Sequence, residues 1–89
     1  MNVVSQTTIT DRKASAAEVR AHADQLHRLA GEVGVSNVRL RDEGTVVVHS
    51  DELGYRQVVD LSRRISQVVG CYVHVITDDV PAAADARPV

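Results

Sequence analysis

Eighty-nine residues carrying 10 basic and 12 acidic side chains give a formal net charge of −2, which removes the electrostatic case for binding nucleic acid or an anionic membrane surface. With no Phe or Trp and only Tyr55 and Tyr72, the core has to be Val, Leu, Ile and Ala. A chain this short buries only about 60–65% of its unfolded surface, so a protein partner or a homodimer is expected to add stability.

The single cysteine, Cys71, excludes an internal disulfide and reads as a buried thiol in a reducing compartment. No run approaches the roughly 18 apolar residues of a membrane span. Met1 to Ser5 lacks the basic and apolar blocks of a signal peptide, so the expected location is the cytoplasm.

Residues 1–13 read as an arm or an edge strand, residues 14–78 as one α+β domain, and residues 79–89 as a flexible tail. Ser15-Ala16-Ala17-Glu18 is a capping box, which opens a helix. Val19, Ala23, Leu26 and Ala30 recur at helical spacing behind it, with Leu29 and Val33 widening the stripe. Gly31 and Gly34 supply the stop. His22 and His27 are five apart on this helix, one too many to place two ligands together, and read as surface residues.

Val38 and Leu40 alternate with Arg39 and Arg41, the period of a half-buried strand. Asp42-Glu43-Gly44 is a turn. Val46-Val47-Val48 is apolar on both faces and reads as a central strand. Ser50 or Asp51 then caps a second helix whose buried stripe is Val58, Leu61, Ile65 and Val68, ended by Gly70. The last strand, Tyr72 to Ile76, turns Val73 and Val75 inward. The order is α-β-β-α-β, or β-α-β-β-α-β if the arm is a strand. Either way two helices cover one face of a small mixed sheet of three or four strands, with a right-handed crossover joining parallel strands.

This order resembles the minimal nucleotidyltransferases of the polymerase-beta type found in bacterial toxin–antitoxin pairs. The resemblance spans roughly residues 15–88. It rests on Leu29 to Val35 as a helix ending in a Gly-Val turn, Val38-Arg39-Leu40, the helix from Val58 to Ile65, the strand Val73-His74-Val75-Ile76-Thr77, and the ending from Val80-Pro81 to Arg87. The family carries a Gly-Ser pair after the first strand, two aspartates one residue apart on the second, and a carboxylate on the last. Here Leu40 runs into Arg41-Asp42-Glu43-Gly44, the aspartate places hold Val46, Val47 and Val48, and the last position is His74. Two-metal phosphoryl transfer needs clustered carboxylates around hard cations. The resemblance therefore implies a relative without catalysis, metal or cofactor, acting through a protein partner in the manner of an antitoxin.

The residues proposed for that contact are Arg39, Arg41, His49, Tyr72 and His74. They lie on an exposed sheet edge formed by the Val38–Arg41 strand or on the exposed sheet face. A second reading is a ferredoxin-like module that dimerises through its sheet and binds a small molecule. A third uses His49 and His74, with Asp51 or Asp78, as metal ligands. Gly31-Glu32-Val33-Gly34 formally matches the GxxG of a KH domain, but its acidic Glu32 suits a helix stop better than a phosphate clamp.

Overall fold

The computed structural model describes residues 10–51 and 55–89. Their chain order is β1 (Thr10–Lys13), α1 (Ala16–Ala21), α2 (Ala23–Val33), β2 (Ser36–Leu40), β3 (Val46–His49), α3 (Tyr55–Val69), β4 (Cys71–Tyr72), β5 (Val75–Thr77), a 3-10 turn (Pro81–Ala83) and β6 (Arg87–Pro88). The fold is α+β: three helices, two of them substantial, pack on a four-stranded mixed sheet of order β5-β3-β2-β6, and β1 and β4 form a small parallel sheet.

The capping box forms as the sequence requires. Ser15 Oγ accepts the Glu18 amide at 3.2 Å, and the Ser15 amide donates to Glu18 Oε1 at 2.9 Å. The expected single helix is broken at His22, whose amide reaches back to the Val19 carbonyl at 3.0 Å. The His22 ring meanwhile lies 3.0 Å from the Glu18 carbonyl, the acceptor that a continuous α-helix would give to the His22 amide. Gly34 ends α2 with φ 92°, its amide bonded to the Ala30 carbonyl. Gly31 lies inside α2 and does not contribute to the stop.

Val46, Val47 and Val48 are all fully buried, because β3 is central and covered on both faces. Val46 and Val48 join Val38, Leu40, Val73 and Val75 in the core against Leu26, Leu61 and Ile65 of the helices. Burying each of those three helix side chains stabilises by about 1.5–3 kcal/mol. Val47 and Ala83 are buried outside that cluster. The chain leaves β5 at one edge of the sheet and reaches β6 at the other, so it crosses the face that the helices leave open. Arg41, on that face, donates to the Ala84 carbonyl at 2.6 Å.

Three expectations are corrected. The segment beyond Asp79 is not a loose tail: Arg87 and Pro88 pair antiparallel with Leu40 and Arg39. The Val38–Arg41 strand is consequently an inner strand, since β6 covers the edge it was expected to expose. In α3 it is Val69, not Val68, that packs against the core, because the stripe continues four residues beyond Ile65 while Val68 turns outward. The expected cap at Ser50 or Asp51 adjoins residues 52–54, which lie outside the described residues, as do residues 1–9 of the arm.

β3 and β5 are parallel and adjacent, joined by α3. A ferredoxin-like sheet would insert the first strand between them. Here β1 lies elsewhere. The Tyr72 carbonyl accepts the Ala14 amide at 2.7 Å and the His74 carbonyl accepts the Val46 amide at 2.8 Å. Carbonyls two residues apart on an extended strand point the same way. β1 and β3 therefore lie end to end along one side of the 71–77 segment. They meet where a Cβ on Gly44 would stand 2.2 Å from the Ala14 carbonyl oxygen.

Candidate functional site

Among the described residues, no strand lies along the other side of the 71–77 segment. Val73 turns its peptide groups there and finds two serines of α3: Ser66 Oγ accepts its amide at 2.9 Å, and Ser62 donates to its carbonyl. The serines take the place of a neighbouring strand and separate β4 from β5. Val75 has the same orientation as Val73, so its N–H and C=O also face outward. Among the described residues, β5 has no strand beyond it.

Between this edge and α3 runs a groove of about 520 Å³. Tyr55, Val58 and Val59 form its helical wall, Val75 its floor, and Tyr72 and His74 one end. Tyr55 is 79% exposed, Val59 48% and Tyr72 42%. Among the described residues, these are large apolar side chains left exposed in a chain short of core residues. Tyr72 and His74 are coupled, with the phenol oxygen 2.8 Å from His74 Nδ1. Arg63 lines the helical side and pairs with Asp60, which also holds Arg64 at i,i+4.

A second cluster sits at the far end of the sheet. Arg39 Nη2 donates to Asp78 Oδ2 at 3.2 Å. The same carboxylate lies 3.2 Å from His49 Nδ1, and Asp51 lies 3.0 Å from His49 Nε2. Hydrogen bonds to Asp51 first, then Asp78, raise the His49 pKa above its ordinary value. The two carboxylates occupy opposite ring nitrogens, so no position is left where imidazole and carboxylates converge on one ion. Among the described residues, no three His, Cys, Asp or Glu side chains are placed to hold a metal.

The five sequence candidates therefore separate. Tyr72 and His74 line the groove, Arg39 and His49 share Asp78, and Arg41 lies apart, bonded to Glu43 and Ala84. His49 and His74 do not meet. His74 lies beside Val46 at the start of β3, whereas His49 follows its end. The third reading, a metal held by both, is thereby removed.

Sequence reasoning missed the helical wall. Tyr55 and Val59 sit four apart on α3, outside the buried stripe, and that spacing was the available signal. It also missed a third cluster, in which Arg12 is bidentate to Glu18 and donates to Cys71 Sγ at 2.8 Å. The Arg12 guanidinium, with the Ser15 amide, holds the Glu18 carboxyl well below the usual carboxylate range. This contact ties β1 to α1 and β4.

Compared with family models, curated proteins and solved structures, the chain matches none. Among the described residues, no helix is long and apolar enough to cross a membrane.

Proposed function

We propose that this chain is a non-catalytic, nucleotidyltransferase-like interaction domain that contacts a protein partner through the groove between α3 and the β4–β5 edge. The observation that carries the proposal is the exposed apolar wall of Tyr55 and Val59 beside an open strand edge. The resemblance to polymerase-beta-type domains supports the non-catalytic part. At the places of the family's acidic pair stand Val46, Val47 and Val48, whose side chains are fully buried and hold a central strand. A carboxylate placed there would lose its solvation without gaining a metal. The partner would then be an effector protein of the cytoplasm, held in the manner of an antitoxin.

The test is affinity capture from the native host with the wild-type chain and with Val59→Glu. A stoichiometric partner retained by the first and lost by the second supports the proposal. A partner retained equally by both places the contact elsewhere, and transfer of a labelled nucleotide in the presence of Mg²⁺ would refute the non-catalytic reading.

The groove volume of about 520 Å³ also suits a small molecule, since ligand sites commonly span about 300–1,000 Å³. That second reading predicts that the purified chain carries a bound compound detectable by native mass spectrometry.

A further inference from the structure

We propose that residues 80–89 form a strap that opens as a unit while the rest of the domain stays folded, uncovering the β2 edge and the sheet face around Val47. The strap lies at the opposite edge of the sheet from the groove, and its opening does not depend on what the groove binds.

The strap is held thinly. Among the described residues from Asp79 to Val89, Ala83 alone is buried. Ala83 stands outside the main hydrophobic cluster, and Val89 is only partly buried against that cluster. The Ala83 and Ala84 amides are satisfied inside the strap, by the carbonyls of Val80 and Pro81. Two side chains reach it from the domain, both in exposed contacts. Arg41 donates to the Ala84 carbonyl at 2.6 Å, and His27 Nε2 lies 2.7 Å from a main-chain oxygen of Val89. Asp85 has φ 69°, a left-handed conformation that a side chain disfavours, and opening relieves it.

Strand pairing adds little to this hold. In β6, Arg87 and Pro88 stand opposite Leu40 and Arg39. Proline has no N–H to give. The Arg41 amide donates to Thr45, which leads into β3. Amides alternate in direction along a strand, so the Arg39 amide also faces β3 and the Leu40 amide faces β6. Leu40 and Arg87 are therefore the pair that exchanges hydrogen bonds across this edge.

The root of the strap, by contrast, is fixed. Asp78 accepts from Arg39 and lies 3.2 Å from His49 Nδ1. Release pivots at Asp79 and Val80, both exposed, and leaves β5 in place.

Val47 is fully buried although it points away from the helix-facing cluster, on the face that the strap crosses. Covering an edge with a short segment is one way a sheet is kept from pairing with other chains. Opening frees the outward N–H and C=O of Leu40 and bares Val47 together, so the strap sets when this side of the sheet is available for contact.

The experiment is native-state hydrogen exchange on the full wild-type chain, labelled with ¹⁵N, at increasing urea below the unfolding transition. The Leu40 and Arg87 amides should exchange through one shared opening with a shallow urea dependence, Leu40 being about a hundredfold less protected than its neighbour Arg39. Arg39 and Val46, whose amide is held by the His74 carbonyl, should follow global unfolding with a steep dependence. In a Cys71→Ser background, Val47→Cys should react with a thiol reagent with the shallow urea dependence of Leu40. Equal protection and equal urea dependence at Leu40 and Arg39 would overturn the inference. So would a Leu40 amide unprotected without urea, because the strap would then not close. A thiol at position 47 that reacts only on global unfolding would overturn it as well, because the face would then stay covered.

Discussion

Ser66 and Val73 share a buried hydrogen bond: the serine hydroxyl accepts the valine amide at 2.9 Å, and Ser66 is 3% exposed. With Ser62 on the Val73 carbonyl, α3 provides the pairing that a strand would otherwise give. Ser66→Ala removes the acceptor and leaves a buried N–H unsatisfied, at a cost of about 1–3 kcal/mol. Ser62→Ala should cost less, because Ser62 borders the groove and water can reach the freed carbonyl. Urea denaturation of the two variants checks the order.

Gly44 is the joint between β1 and β3. Its φ is 100°, which costs a residue with a side chain about 1–2 kcal/mol, and a Cβ would lie 2.2 Å from the Ala14 carbonyl oxygen. Backbone would have to move to admit even alanine. Gly44→Ala is therefore expected to destabilise by more than the backbone conformation alone explains. Gly34→Ala, with φ 92° and open space around it, should show only the conformational cost. Chemical denaturation of the pair separates the two effects.

His49 gives stability a pH dependence of definite sign. Asp51 and Asp78 raise its pKa in the folded protein, so the folded state binds the proton more tightly than the unfolded chain. The contribution is complete below the unfolded value of about 6.5 and is lost as pH rises through the folded pKa. Melting temperatures of wild type and His49→Gln should differ most at pH 5 and converge towards pH 9. A gap that widens with rising pH would contradict the assignment.

Val59→Glu and Tyr55→Ser change exposed positions of the groove wall. Surface changes of this kind usually fall within about 0.5 kcal/mol. Both variants should melt close to wild type while losing the captured partner, and circular dichroism beside the capture assay makes the comparison.

The sequence carried the core well, because its signals are local. The capping box at Ser15 and Glu18, the alternation around Val38 and Leu40, and the double-sided Val46–Val48 run each record one element's surroundings. It carried the edges poorly. Pairing of Arg87 and Pro88 with Leu40 and Arg39 joins segments more than forty residues apart, and a run of alanines beside two prolines gives no sign of it. The break at His22 depends on one imidazole finding a carbonyl. The candidate residues were chosen from strand faces, which identified Tyr72 and His74 but not the helix opposite them. Tyr55 and Val59 look like ordinary helix surface until β5 is known to be an edge.

The most direct test is photocrosslinking in the native host, with a benzophenone side chain at Val59 and, as control, at the exposed Asp24 of α2. Capture of one protein from position 59 and none from position 24 is the result predicted. Crosslinks from position 24 alone, or none from position 59 while the partner is bound, would contradict the claim that the groove is the contact surface.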